Sequence, residues 1–127
     1  MNSPTNETGN KKFQFKDRLK SFRNAFTGLF FLFRSEHNAR IHLAVLIVVI
    51  LAGIFLRINT RDWISIAFAA GLVLSGECFN TAVEYLADFI SPEYNEKIKK
   101  AKDVAAAGVL ISSIMSISCQ ICFHLNS

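Results

Sequence analysis

The chain has 127 residues, of which 51% are hydrophobic, and its formal net charge is +4 at pH 7. This length allows one domain at most. The apolar content, with a mean hydropathy of +0.31, is too high for an ordinary small soluble domain. The sequence therefore predicts a single membrane-embedded domain over residues 13–127, after a polar, disordered lead at residues 1–12.

The first predicted element is an amphipathic helix over residues 13–34. Apolar side chains recur there at helical spacing with basic residues between them, a pattern typical of a helix that lies in the membrane interface. The apolar positions are Phe15, Leu19, Phe22, Phe26, Leu29, Phe30 and Phe33, and the basic positions are Lys16, Arg18, Lys20 and Arg23. The same pattern suits a helix that packs on other helices, and the two interpretations are compatible.

Three apolar segments follow, and each can cross a bilayer. We predict spans at about residues 38–57, 63–90 and 103–125. As a helix the second would extend about 42 Å, beyond a hydrocarbon core of about 30 Å. The predicted fold class is therefore all-α integral membrane, with an N-terminal surface helix and three transmembrane helices.

The distribution of basic residues predicts how these spans are oriented. The segment before the first span and the connection between the second and third spans are rich in lysine and arginine. The opposite side has only Arg57 and Arg61. Because basic connections remain in the cytoplasm, we expect the N-terminus there and the C-terminus outside.

A polar stripe lies at the cytoplasmic end of the second predicted span. Glu77, Asn80, Glu84 and Asp88 are spaced by three, four and four residues. This spacing places them within about 80° of one another on one helix face. Ionisable groups are costly within a membrane and mark functional sites there, so the stripe predicts a site for an ion or a polar substrate.

Other charged residues are expected close to this stripe, and together they suit phosphoryl transfer. Mg²⁺ binds one or two carboxylates plus substrate phosphates, and Glu36 and Glu84 could supply them. Glu77 could accept the proton of a hydroxyl nucleophile. Lys102, at the predicted start of the third span, would place terminal phosphates beside free backbone N–H groups. An ion path, or a structural set of interhelical hydrogen bonds, explains the same residues and stays open.

Three further positions have supporting interpretations. Asn80 could orient Glu77 or the acceptor hydroxyl by hydrogen bonding. Asp88 and Asp103 could each cap a helix end or pair with a lysine. The sequence contains neither GxxxxGK[ST] nor GxGxxG, so a soluble-type ATP site is not predicted.

The third span carries two additional patterns. Cys119 and Cys122 have redox-like spacing, but no second pair completes a zinc site, so both are interpreted as small apolar side chains. Gly108, Ser112 and Ser116 put small residues on one face of this span. Such a face allows close helix–helix approach and suits oligomer packing.

The polar motifs resemble those of the bacterial diacylglycerol kinase family. The run Glu77-Cys-Phe-Asn80-Thr-Ala-Val-Glu84-Tyr-Leu-Ala-Asp88 is followed after 13 residues by Lys102-Asp103. The family pattern is E-x-x-N-[ST]-A-[IV]-E-x-x-x-D, then A-K-D. Glu36, and Arg40 four residues later, match as well. The likeness extends from about residue 22 to the end of the third span.

The resemblance implies a small membrane kinase that uses ATP and Mg²⁺ to phosphorylate the primary hydroxyl of a lipid alcohol. It implies a homotrimer in the bacterial cytoplasmic membrane, with active sites assembled between subunits, and no nucleic-acid partner is expected. The implied roles are proton acceptor for Glu77, catalytic support for Asn80, metal ligands for Glu36 and Glu84, and nucleotide or catalytic support for Lys102 and Asp103.

A short loop before the third span also matches the family. Glu93, Tyr94 and Asn95 correspond to the loop that covers the nucleotide. In the family that loop usually ends in histidine, so Asn95 departs from the pattern.

The lipid acceptor depends on the branch of the family, which includes kinases for diacylglycerol and for undecaprenol. Both lipids present a primary hydroxyl at the membrane surface, so the polar stripe does not discriminate between them. The runs Arg40-Ile41-His42 and Arg61-Asp62-Trp63, with the alanine-rich stretch after Lys102-Asp103, are more similar to the undecaprenol branch. The sequence therefore favours undecaprenol.

Two other function classes compete with a lipid kinase. An ion-conducting or transporter subunit could use the stripe as a path, but it requires acids deep in the bilayer and leaves the Lys-Asp element unexplained. An accessory membrane protein without chemistry predicts that Glu77→Gln would be harmless.

Overall fold

The computed structural model describes residues 15–126, which form four α-helices. These are α1 (Phe15–Ser35), α2 (His37–Leu56), α3 (Thr60–Ile90) and α4 (Glu96–Leu125). The predicted lead at residues 1–12 and the first two residues of the predicted surface helix lie outside the described residues. The all-α architecture predicted from the sequence is confirmed.

α2, α3 and α4 are each long and apolar enough to cross a membrane. Their 20, 31 and 30 residues correspond to about 30, 46 and 45 Å of helix, so α3 and α4 are longer than a hydrocarbon core of about 30 Å. In the most apolar window of α4 none of the residues is buried inside the chain. Apolar surfaces of this extent are covered by lipid or by other polypeptides.

α1 packs on the other helices mainly through its second half. Leu32 is buried, and the Phe31 ring centroid lies 5.3 Å from that of Tyr85 on α3. The first half presents exposed aromatic side chains, including Phe15 and Phe22. α1 therefore joins the bundle at one end and keeps an uncovered apolar face along the rest of its length.

A single residue, Glu36, joins α1 to α2. Its backbone is extended, with φ −104° and ψ 120°. Its N–H donates to the Leu32 carbonyl at 2.9 Å, and its own carbonyl accepts from the Arg40 N–H at 3.2 Å. The Glu36 side chain forms no capping hydrogen bond with α2, so its carboxylate stays available for other contacts.

A tight turn joins α2 to α3. Arg57 ends α2 in the left-handed region, with φ 51°, and the Ile58 N–H donates to the Gly53 carbonyl at 3.2 Å. Asn59 caps α3 by accepting from the backbone N–H of Asp62 at 2.9 Å. These local hydrogen bonds set α2 and α3 antiparallel.

α3 and α4 make the most extensive helix–helix contact of the chain. A Cβ added at Gly76 would lie 3.4 Å from the Ser112 Oγ. The Ser116 hydroxyl donates to the Ala69 carbonyl at 3.2 Å. Two members of the predicted small-residue face therefore allow the close approach of α4 to α3, whereas a Cβ at Gly108 would meet no atom within 4 Å.

α4 begins at Glu96, earlier than the predicted third span at residue 103. The Asn95 side chain starts the helix, because its Oδ1 accepts from the N–H groups of Lys97 at 2.9 Å and Ile98 at 3.3 Å. Lys102 therefore lies within the helix, where backbone N–H groups donate to the preceding turn. The prediction that Lys102 offers free backbone N–H groups to phosphates is wrong, and only its side chain is available.

Candidate functional site

The alternating directions of α2, α3 and α4 bring the predicted site residues to one end of the bundle. The start of α2, the end of α3 and the start of α4 meet there. We call this the acidic end, defined by Glu36, Glu77, Glu84 and Asp88. Residues that are up to 52 positions apart in sequence thus share one location.

Glu77 is the most enclosed carboxylate at the acidic end, with its side chain 3% exposed. The His42 Nε2 on α2 lies 3.1 Å from the Glu77 Oε1. The contact lacks hydrogen-bond alignment, and Oε1 has no hydrogen-bond partner among residues 15–126. Glu77 therefore combines burial with an acceptor oxygen whose bonding capacity is not filled.

The polar stripe on α3 runs from buried to exposed. Glu77 is buried, Asn80 and Glu84 are half-buried, and Asp88 is exposed. The Asn80 Oδ1 and the Thr81 Oγ1 are enclosed, and neither has a hydrogen-bond partner within residues 15–126. Leaving such an atom unsatisfied costs about 1–3 kcal/mol. A substrate, an ion or another polypeptide would supply the missing partners.

Lysines of α4 engage the two aspartates of uncertain role. The Lys102 Nζ forms an ion pair with the Asp88 Oδ1, which links α4 to the end of α3. The Lys99 Nζ lies 2.8 Å from the Asp103 Oδ2, one helical turn along α4. The sequence left open whether Asp88 and Asp103 cap a helix end or pair with a lysine. In the structure both pair with a lysine.

The loop between α3 and α4 has a defined conformation. The Ser91 hydroxyl donates to the Glu93 carbonyl at 3.0 Å, and the Tyr94 side chain is 80% exposed. Since the Asn95 Oδ1 is used by the helix cap, only the amide nitrogen of that side chain could contact a bound molecule. The departure from the family histidine thus coincides with a capping function.

An apolar groove of about 620 Å³ lies between α1 and α3. Its walls are Phe22, Ala25, Phe26, Gly28, Leu29, Phe31 and Leu32 of α1, with Cys78, Thr81, Ala82 and Tyr85 of α3. Thr81 follows Glu77 by one helical turn, so the groove ends near the enclosed carboxylate. The groove could therefore hold a hydrocarbon chain close to Glu77.

The carboxylates near Glu77 offer part of a metal site. Glu36 and Glu84 both act electrostatically on Glu77. Neither carboxylate forms a hydrogen bond or an ion pair with another of residues 15–126. Within the same range no group of three or more His, Cys, Asp or Glu side chains is arranged to hold a metal ion. One chain therefore provides two free carboxylates here.

Sequence reasoning did not assign His42 and Thr81 to the site. A histidine in an otherwise apolar span, at the same end as the stripe, is the signal that would have identified His42. The position of Thr81 four residues after Glu77 places both on one helix face. Cys78, Cys119 and Cys122 are free thiols, as the apolar interpretation of the last two requires.

Comparison with known proteins identifies a family that matches the chain. The family model of prokaryotic diacylglycerol kinase matches residues 23–123. The chain is 32% identical over 98 residues to undecaprenol kinase of Bacillus subtilis, covering 77% of this chain and 80% of that protein.

Two diacylglycerol kinases are also similar. That of Synechocystis is 35% identical over 100 residues, covering 78% of this chain and 57% of the relative. That of Escherichia coli K12 is 34% identical over 74 residues, covering 58% of this chain and 60% of the relative.

These similarities extend across most of the described helices and include the polar stripe of α3. They support a kinase that uses ATP and has a lipid substrate in the membrane, and they give no support to the transporter interpretation. The chain belongs to the prokaryotic diacylglycerol kinase family of integral membrane lipid kinases.

Proposed function

We propose that this protein transfers the γ-phosphate of MgATP to the primary hydroxyl of undecaprenol, giving undecaprenyl phosphate. The observation that carries this proposal is the enclosed Glu77 carboxylate at the end of the apolar groove. Its Oε1 has no hydrogen-bond partner among residues 15–126, and the groove next to it is large enough for a hydrocarbon chain.

Glu77 acts as the proton acceptor for the lipid hydroxyl. A positioned carboxylate removes that proton as the oxygen attacks the γ-phosphorus and the bond to the leaving ADP oxygen breaks. Asn80 follows Glu77 by three residues, and its enclosed Oδ1 also has an unfilled acceptor position among the described residues. It orients the hydroxyl or Glu77 by hydrogen bonding.

Glu36 and Glu84 fit the requirements of a Mg²⁺ ion that is shared with ATP. Mg²⁺ prefers oxygen ligands and uses few protein carboxylates when it also binds phosphates. Both carboxylates are unpaired within residues 15–126 and lie near enough to Glu77 to act on it electrostatically. When bound, the ion would neutralise charge on the phosphate oxygens.

The nucleotide binds at the start of α4 and the loop before it. Lys102 has three N–H donors, so one can hold Asp88 while others contact phosphate oxygens. Asp103 supports this region through its pair with Lys99. The loop from Glu93 to Asn95 covers the nucleotide, with the exposed Tyr94 ring as its largest surface.

Undecaprenol is favoured over diacylglycerol by the chemistry of the groove. Its lining side chains are apolar or aromatic except for Cys78 and Thr81, with Tyr85 adding one phenol group. A polyisoprenol needs only one hydroxyl contact, whereas diacylglycerol adds two ester groups that seek donors when buried. The relative that the chain covers to 80% of its length is an undecaprenol kinase.

The assembly is a homotrimer in the cytoplasmic membrane, with the acidic end and the N-terminus facing the cytoplasm. The uncovered apolar surface of α4 suits contact between subunits as well as lipid. Basic residues are more frequent before α2 and at the start of α4 than on the opposite side. This excess supports a cytoplasmic location for the acidic end.

A side-by-side assay tests the proposed reaction and acceptor. Purified protein in mixed micelles receives MgATP labelled at the γ-phosphate, with undecaprenol or diacylglycerol at equal mole fraction. We expect labelled undecaprenyl phosphate with a kcat/KM at least about tenfold above that for diacylglycerol. A preference for diacylglycerol would overturn the acceptor. Absence of transfer to either lipid would contradict the proposed reaction itself.

A further inference from the structure

We propose that His42 is a positioning residue that holds the Glu77 carboxylate in the orientation needed for proton transfer. This rests on the proposed function of Glu77 as the proton acceptor. The His42 Nε2 lies 3.1 Å from the Glu77 Oε1, and the two side chains are 32% and 3% exposed. His42 thus reaches the enclosed carboxylate from the neighbouring helix.

The contact affects how the two oxygens of Glu77 are oriented. A proton acceptor must aim one oxygen at the hydroxyl, within about 2.6–3.2 Å. Rotation of the carboxyl group about its terminal bond would otherwise exchange the oxygens freely, because that torsion is broad. The imidazole nitrogen, 3.1 Å from Oε1, restricts this rotation and so determines which oxygen faces the lipid hydroxyl.

His42 is the basic side chain that lies beside Glu77 among residues 15–126. Glu36 and Glu84 are the other ionisable groups that act on Glu77, and ionised carboxylates accept hydrogen bonds but do not donate them. No other one of residues 15–126 forms an ion pair with it. The remaining charge pairs at the acidic end use lysines of α4.

The place of His42 in the fold makes the contact specific. His42 lies in the second turn of α2 and borders a cavity of about 520 Å³ with a mostly apolar lining. Within the described part of the chain, Glu77 is the polar side chain in contact with the imidazole. A histidine there would be costly without a polar partner.

Three substitutions separate positioning from packing. Glutamine carries an amide nitrogen about as far from the backbone as the histidine Nε2, asparagine is one bond shorter, and leucine has no donor. For His42→Leu we expect kcat to fall by about tenfold to a hundredfold, with KM for ATP and for lipid within about twofold of the wild type. His42→Gln should recover most of kcat, and His42→Asn should not.

A matched control and a folding measurement accompany these kinetics. His124→Leu makes the same replacement at the far end of α4 and should leave kcat unchanged. The thermal midpoint and the oligomer size in detergent are measured for every variant. If His42→Leu does not fold, the glutamine and asparagine variants, which keep an amide at this position, provide the comparison.

Several outcomes would overturn the inference. The inference fails if His42→Leu keeps the wild-type kcat or if only its KM rises. It also fails if His42→Gln is as slow as His42→Leu, because this would mean that the imidazole itself transfers a proton, which an amide cannot do. Glu77→Gln is assayed in parallel. If it is inactive while His42→Leu is normal, only the inference on His42 fails. If Glu77→Gln is fully active, the proposed catalytic function of Glu77 fails.

Discussion

Glu77 lies at 3% exposure in a helix that is long and apolar enough to cross a membrane. A buried carboxyl group normally has a full set of hydrogen-bond partners, because desolvation is costly. Here the described chain offers only the His42 contact, and the neighbouring Asn80 and Thr81 also have unfilled oxygens. Such a concentration of unmet hydrogen bonding is expected where a substrate completes the site.

Glu77→Gln is the direct test of this residue. The amide has nearly the same shape but cannot accept the hydroxyl proton, so kcat should fall by at least about a hundredfold. Oligomer size by size-exclusion chromatography should stay the same. Asp62→Asn, in the first turn of α3 at the opposite end of the bundle, is the matched control and should retain activity. Activity near the wild-type level in Glu77→Gln would contradict the assigned proton acceptor.

At this scale the sequence predicts which residues are chemically unusual but not all of their partners. The spacing of Glu77, Asn80 and Glu84 requires one helix face, because the helical repeat decides it. The contact with His42 depends on the axial position of α2 relative to α3, which the turn at residues 57–59 determines. No local sequence pattern predicts that axial position.

At the scale of the helices, the packing of α2 against α3 depends on a glycine, Gly53. A Cβ added at Gly53 would lie 2.9 Å from the Trp63 ring and 3.0 Å from the Ile58 side chain. Distances this short force the indole or the backbone to move. Gly53 therefore allows the close approach of Trp63 and Ile58 to α2.

Gly53→Ala should therefore destabilise the protein by about 1–3 kcal/mol. A lower thermal midpoint in detergent would report this change. Gly71→Ala is the matched control, since a Cβ there meets no atom within 4 Å and alanine favours the helix. Equal midpoints for the two variants would show that the indole does not restrict this position.

Helix boundaries were predicted less well than helix identity. The apolar run indicates where α4 can enter the membrane, but the helix begins earlier, where Asn95 supplies the cap. The first residues of α4 are polar, so hydropathy does not reveal them. A capping asparagine before a charged run is the signal that would have placed this start.

For the whole molecule, the exposed apolar surface and the uneven distribution of basic residues require a membrane context. Large apolar side chains are exposed along α2, α3 and α4, as expected for helices covered by lipid or subunits. The number of spans was predictable from composition and length. The packing of one subunit against another is not, because small-residue faces serve contacts within a chain as well as between chains.

Thiol labelling tests the proposed orientation. In a background with the three native cysteines replaced by alanine, Lys97→Cys reports on the start of α4 and Asn126→Cys on its far end. In intact spheroplasts a membrane-impermeant maleimide should label Asn126→Cys and leave Lys97→Cys unlabelled until detergent is added. This follows from retention of basic connections in the cytoplasm. Labelling of Lys97→Cys from outside would show that the protein has the opposite orientation in the membrane.

The single-residue connection at Glu36 has a mechanical consequence. One extended residue cannot absorb a change in the angle between α1 and α2 without turning its own side chain. α1 carries an uncovered apolar face, so the lipids that it touches influence that angle. We therefore expect a bilayer that changes the angle between α1 and α2 to move the Glu36 carboxylate relative to Glu77.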